Sequence, residues 1–269
     1  MDLGLQGKRA LVTGSSSGIG VGIAEMLAAE GCSVVVHGRN EARARAVAER
    51  IAATGAKSAL AIGDLAIAEE AATVAAAASE AFGGIDILVN NAGGSSDNPD
   101  KSWFGTTPED FLATYQANLL AAVRLIHALV PAMRERGWGR IINISTAAAI
   151  TPTSGQADYG PAKAAMLNMS LGASRALKNS GVTSNSVSPG MIRTDGIDMY
   201  LATMAKQRGW GDDVKKAEEM LLKGINQSVA RVGEVDDIAY AVTMLASPRS
   251  DFINGTNVHV DGGISPSLN

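Results

Sequence analysis

The chain has one cysteine, few aromatic residues and no clustering of basic charge, and each shortage narrows what it can be. A lone thiol excludes an intrachain disulfide, and the place of Cys32 just ahead of Ser33-Val34-Val35-Val36 puts it at a buried strand edge rather than in a nucleophile's role. Aromatics are 4% of 269 residues while hydrophobic residues are 46%, so alanine and aliphatic side chains must fill the core, which suits helices packed closely on a sheet. No uninterrupted apolar run reaches the roughly eighteen residues of a membrane span. The start, Met1-Asp2-Leu3-Gly4-Leu5-Gln6-Gly7-Lys8, has no basic segment leading into a long apolar stretch, and a cytoplasmic location is expected. With a net charge of −4 and scattered Lys and Arg, phosphate neutralisation on nucleic acid is not expected, and a small molecule is the natural partner.

What is present is a rhythm. β-Branched or aliphatic runs at 9–12, 33–37, 58–62, 85–89, 140–144, 183–187 and 257–260 alternate with helical patterns at 19–29, 41–54, 67–82, 108–133, 157–180 and 235–245. Nearly apolar strands need helices on both faces, so the pattern predicts an α/β fold: one doubly wound parallel sheet of about seven strands in a single domain over 1–269. Between Gly190 and Gly233 the sequence is helical in character without a strand signal, and about 40 such residues predict a helical lid over about 191–232. Met191, Met199, Met204 and Met220 give that lid either an adaptable apolar wall or a stripe of core.

After the first strand, Thr13-Gly14-Ser15-Ser16-Ser17-Gly18-Ile19-Gly20 opens directly into a helix. Small residues there let a pyrophosphate approach unpaired amides and the positive end of the helix dipole. The end of the second strand, where an NAD-selective site carries an acid, reads His37-Gly38-Arg39-Asn40. With that carboxylate missing and the planar fork of Arg39 available for a 2′-phosphate, the pattern favours NADP(H) over NAD(H). Asp64 stands where it can meet an adenine edge, and Asn90-Asn91-Ala92-Gly93 ends the fourth strand beside the expected switch-point crevice. Tyr159 and Lys163 lie four positions apart and share a helix face. A phenol that normally titrates near ~10 becomes a usable proton carrier beside such a cation. Thr146, ahead of Tyr159 at the end of a strand, offers a hydroxyl to a substrate oxygen, with Ser145 as the neighbouring alternative. Asn118, inside an apolar helix, needs a buried partner or a water.

With Pro189-Gly190 followed by Thr194, and with Asp261-Gly262-Gly263, these motifs make the chain resemble the short-chain dehydrogenase/reductase family over nearly its whole length. Within that family it is most similar to the 3-oxoacyl-acyl-carrier-protein-reductase-like group. The resemblance implies a Rossmann-like fold, a homotetramer, no metal, and hydride transfer between nicotinamide and a ketone or secondary alcohol. It implies that Tyr159 transfers the proton, that Lys163 also holds the nicotinamide ribose, and that Asn118 fixes a water in a proton relay. It places Ile192 and Thr194 at the carboxamide, and extends the cofactor set through Gly14, Ser16, Ser17, Gly18, Ile19, Gly20, Arg39, Asp64, Leu65, Asn91, Ala92, Gly93, Pro189 and Gly190. Two positions depart from the family: Thr146 replaces its serine, and Pro161 replaces a small residue. For the substrate, Arg193, Lys206 and Arg208 are the scattered candidates for recognising an acyl carrier, while sugars, polyols and cyclic alcohols stay open. A nucleotide-sensing or scaffold protein without turnover is the alternative in another class; Thr146 favours it, and Asn118, Tyr159 and Lys163 oppose it.

Overall fold

A computed structural model describes residues 2–100, 102–153, 155–225 and 227–266. Among them, seven parallel strands are β1 (Arg9–Val12), β2 (Ser33–Gly38), β3 (Ser58–Ile62), β4 (Ile87–Asn90), β5 (Gly139–Ile144), β6 (Val182–Pro189) and β7 (Asn257–Val260). They lie in the order β3-β2-β1-β4-β5-β6-β7, every neighbouring pair parallel. Helices α1 (Ile19–Ala29), α2 (Glu41–Ala53), α3 (Ala68–Phe82), α4 (Pro108–Tyr115), α5 (Ala121–Glu135) and α6 (Tyr159–Ala176) precede β6. Helices α7 (Asp195–Gln207), α8 (Val214–Gly224) and α9 (Val235–Ala246) follow it. The predicted doubly wound single sheet is therefore the observed one.

The near-apolar strands are explained by cover on both sides. Val12, Val36 and Ile142 turn into a layer with Ile23 and Leu27 of α1, Val47 of α2 and Val242 of α9. Their neighbours Leu11, Val35 and Ile141 turn the other way, against Val74 of α3 and Leu125 and Met133 of α5. Strand order reverses between β1 and β4, so the chain diverges at their C-terminal ends and leaves a crevice there. β6 is buried yet polar, and Ser184 on it ends a chain of buried polar groups that runs across the sheet to α6: Asn90 Nδ2 donates to Asn143 Oδ1 (2.9 Å), Asn143 Nδ2 to Ser170 Oγ (3.0 Å), and Ser170 lies 3.1 Å from Ser184 Oγ.

The expected helix over 108–133 differs in two ways. It starts on a Thr107–Asp110 capping box with Pro108 in the first turn, but a π turn (Gln116–Leu120) divides α4 from α5. Asn118 sits in that turn and its Nδ2 donates to Thr114 O (2.7 Å), a side-chain insertion of the kind that widens a helix. Taken together, Pro108–Glu135 is long and apolar enough by length and composition to cross a membrane, contrary to the expectation that no segment would be. Here Leu125, Leu129 and Met133 pack it onto the sheet instead. Pro161 falls in the first turn of α6, where its missing N–H costs nothing.

Of the helical segment over 191–232, residue 226 lies outside the described residues. α7 and α8 pack on a small core of their own, Leu201, Ala205 and Ala217, with Met204 against it. Met199 is 67% exposed and Met220 37% exposed, and neither these nor Met191 and Met204 line the crevice. Of the two readings, an apolar wall finds no methionine at the crevice, and Met204 follows the core reading.

Candidate active site

The crevice encloses about 740 Å³. Its floor is tied by one buried hydroxyl: Thr13 Oγ1 donates to Val89 O (3.1 Å) and accepts the N–H groups of Asn91 and Ala92 (2.9 Å each), joining the ends of β1 and β4 where they part. Asn91 Nδ2 donates to Thr13 O (2.8 Å). Gly14 has φ 64, and a Cβ there would lie 2.9 Å from Ala92 Cα; one on Gly20 would lie 2.5 Å from Gly14 O. Side chains would thus close the approach between turn and helix. Gly18 stands at the N-cap of α1 with no side-chain cap, leaving first-turn amides for an anion.

His37 organises the next strand ends. Its Nδ1 accepts the Gly14 N–H (2.9 Å) and its Nε2 donates to Gly63 O (3.1 Å), a pairing that requires the neutral ring. Burial lowers its pKa to about 4. A Cβ on Gly38 would lie 2.5 Å from Ser16 Oγ, so an acid there would displace Ser16. Arg39 is 79% exposed and only 3.7 Å from Asp64, a loose pair that an incoming phosphate can replace. Asp64 Oδ1 accepts the Ala66 N–H (2.9 Å), and Leu65 lines the crevice beside it. An open helix N-terminus, a glycine cradle and an uncommitted Arg39 without an acid at 38 fit a dinucleotide bearing a 2′-phosphate.

At the reacting end, Lys163 Nζ donates to Ile144 O (2.8 Å) and stands 5.6 Å from the centre of the Tyr159 ring. Burial pushes Tyr159 up to about 12 and Lys163 down to about 7. Asn118 is fully buried; its Oδ1 accepts the Gly94 N–H (3.1 Å) and its Nδ2 donates to Gly94 O (2.7 Å) as well as to Thr114 O. The side-chain amide is thereby committed to the backbone, and any Cβ on Gly93 (φ 151) would overlap Asn118 Oδ1. Ser145 Oγ donates to Lys163 O (3.1 Å). Thr146, half-buried, accepts only a long bond from the Ala148 N–H (3.3 Å), so its O–H is left to donate into the crevice.

One residue beyond the expected set stands out. Asp158, buried at the N-cap of α6, makes no bond to its own helix; its Oδ2 accepts the Ser96 N–H (2.8 Å) and the Thr114 hydroxyl. Burial alone would raise its carboxyl, but these hydrogen bonds hold it below the ordinary carboxylate range. It thus joins the loop after β4, the helix carrying Asn118 and the helix beginning at Tyr159. That loop adds Ser95, Ser96, Asp97 and Asn98 to the lining, to which α4 and the π turn add Asp110, Ala113, Thr114 and Ala117.

Most predicted positions converge here: Gly14, Ser16, Ser17, Ile19, Arg39, Asp64, Leu65, Asn91, Ala92, Gly93, Thr146, Tyr159, Lys163, Pro189, Gly190 and Thr194 all line the crevice. Ile192 does not; its side chain enters the core and it bridges to Gly233, leaving only its backbone for a ligand. Asp261 finds its reason at Gly190, where a Cβ would lie 2.7 Å from Asp261 Cα. Arg193, one of the scattered candidates for a carrier contact, is held by Asp198 (2.8 Å), Glu218 (2.6 Å) and Glu234 (3.4 Å). Neither Lys206 nor Arg208 reaches the lining. Among the described residues no group of acids, histidines and cysteine can hold a metal ion.

A family model described as Enoyl-(Acyl carrier protein) reductase matches residues 14–265. The chain is 36% identical over 269 residues to the 3-oxoacyl-acyl-carrier-protein reductase FabG of Escherichia coli, covering 97% of this chain and 99% of that one. Among solved structures it is similar to L-sorbose reductase from Gluconobacter frateurii complexed with NADPH and L-sorbose, at TM-score 0.94 and 31% identity with complete coverage of both chains. It is also similar to a gluconate 5-dehydrogenase from Burkholderia cenocepacia in complex with NADP and tartrate, at TM-score 0.85 and 31% identity over 99% of this chain and 98% of that one.

Proposed function

The chain belongs to the short-chain dehydrogenase/reductase family, and from that premise we propose that it reduces the ketone of a small polyhydroxy compound with NADPH. It is an NADP(H)-using oxidoreductase that acts between a nicotinamide and a ketone or secondary alcohol. When bound, the nicotinamide supplies or accepts the hydride. Gly14, Ser16, Ser17 and the open end of α1 would hold its pyrophosphate, Arg39 its 2′-phosphate, Asp64 and Leu65 its adenine, and Lys163 and Thr194 its nicotinamide half.

Tyr159, protonated at neutral pH, donates its proton to the carbonyl oxygen in reduction. Thr146 donates a hydrogen bond to the same oxygen as charge gathers on it. Lys163, held against Ile144 O, keeps a cation beside the phenol once it is protonated. Ser145 is occupied by Lys163 O, which favours Thr146 for the hydroxyl role.

The observation that carries the substrate class is the polar loop Ser95, Ser96, Asp97 and Asn98 beside Tyr159 and Thr146, suited to hydroxyl groups rather than to an acyl chain. The 36% identity to FabG favours a second reading, an acyl-carrier substrate, and the engagement of Arg193 by three carboxylates weighs against it. Loss of NADPH absorbance with L-sorbose, a panel of polyols and cyclic ketones, and acetoacetyl-CoA decides between them. Preference for acetoacetyl-CoA would sink the first reading. Tyr159→Phe should cut kcat on the best substrate about a thousandfold while NADPH affinity changes little.

The helical pair α7–α8 is read as the lid, rooted at Thr194, and the protein as a cytoplasmic homotetramer. The exposed apolar groups Trp103, Phe104 and Leu112 around α4 support burial between subunits, which light scattering on the eluting protein measures.

A further inference from the structure

The charges around the crevice are unevenly placed. At the adenosine end Arg39 and Asp64 face each other. At the reacting end the lining carries Asp97 and Asp110, and its cation, Lys163, lies behind Tyr159 with its ammonium turned to Ile144 O. Asp110 keeps its Oδ2 on Asn98 Nδ2 (2.7 Å) and the Thr107 N–H (2.8 Å), which orders the loop and leaves the carboxylate charge in place. Asp97 is exposed on the lining, and among the described residues neither it nor Asp110 forms an ion pair with a Lys, Arg or His. Asp158 adds a third carboxylate just behind the loop. The one arginine at the lid root, Arg193, is spent on Asp198, Glu218 and Glu234.

A carboxylate or phosphate on a substrate would thus enter a cleft whose fixed charges repel it and whose reacting end offers, among the described residues, no guanidinium fork to receive it. Uncharged hydroxyls find acceptors there instead. We infer that the reacting end selects an uncharged polyhydroxy ketone and rejects keto acids and phosphorylated carriers, with Asp97 as the specificity-determining residue. The inference rests on the polyhydroxy-ketone reading above and narrows it to one charge class.

The test compares L-sorbose with 5-keto-D-gluconate, which has the same chain length and one terminal carboxylate, at saturating NADPH. Wild-type protein should favour L-sorbose in kcat/KM by at least about tenfold at ~20 mM salt, and the gap should narrow at ~300 mM salt as the field is screened. Asp97→Asn should narrow it at least about threefold, chiefly through the KM of the keto acid, and Asp97→Lys should narrow it further or reverse it. Because the readout is a ratio between two substrates of one preparation, partial loss of active protein does not affect it. If the keto acid is reduced as well as L-sorbose, or if the ratio ignores both substitutions and salt, this inference is overturned while the polyhydroxy reading stands. If neither compound is reduced and acetoacetyl-CoA is, the reading fails and takes this inference with it.

Discussion

At the scale of single residues, the adjacent hydroxyls at 145 and 146 both line the crevice but differ in what already engages them. The Ser145 hydroxyl is given to Lys163 O, whereas Thr146 only accepts a long bond from the Ala148 N–H and keeps its own proton to donate. Thr146→Ser is expected to keep or raise kcat, whereas Thr146→Val, close in shape but without the donor, should lose about a hundredfold. Ser145→Ala should retain catalysis; a dead Ser145→Ala beside an active Thr146→Val would reverse the assignment. His37 permits a prediction in pH. Its folded pKa of about 4 lies below the ordinary 6.5, so the unfolded chain takes up the proton first. Its contribution is whole above that ordinary value and is lost as pH falls toward the folded one, about 3 kcal/mol across the window. Urea unfolding of the wild type should weaken more steeply between neutral pH and the acid end than that of His37→Gln. Parallel curves would mean the ring is not the titrating group. Neither duty of His37 was legible in the sequence, where it was only the residue before Gly38: its partners Gly14 and Gly63 are 23 and 26 positions away, and no local pattern registers them.

At the scale of elements, the strands and helices were readable because each near-apolar run is followed by a long helical period, and their order gave the switch point that locates the crevice. The start of α4 at Pro108 was legible in the sequence. The π turn was not, since it depends on Asn118 reaching both Gly94 and Thr114. The clamp at Asp158 was hidden for the same reason, its partner Thr114 being 44 positions distant. Truncating it strands a buried hydroxyl and a partly buried N–H. Asp158→Ala should therefore lose about 2–4 kcal/mol in urea unfolding and lower kcat, with NADPH affinity nearly unchanged because the cofactor end does not touch it. Asp158→Asn, whose amide oxygen can stand in the place of Oδ2 and accept both bonds without the charge, should recover much of both losses. Equal damage from the two substitutions would show that charge rather than hydrogen bonding holds the three elements together.

At the scale of the whole molecule, the crevice belongs to the sheet while α7 and α8 belong to themselves. They close on Leu201, Ala205 and Ala217, and they meet the rest through the Ile192–Gly233 bridge and the ion pairs of Arg193. A part with its own core and so few moorings behaves as a cassette. Replacing 195–224 by the matching segment of L-sorbose reductase, with Asp198 and Glu218 kept, should leave Tm within a few degrees, and NADPH affinity and substrate preference nearly intact, because no described residue of that stretch lines the crevice. Collapse of the fold on such a graft would show that the segment is integral to the sheet. In an evolving lineage the same division lets the outer helices drift or be exchanged as one contiguous stretch of gene while the sheet and its crevice stay unrevised.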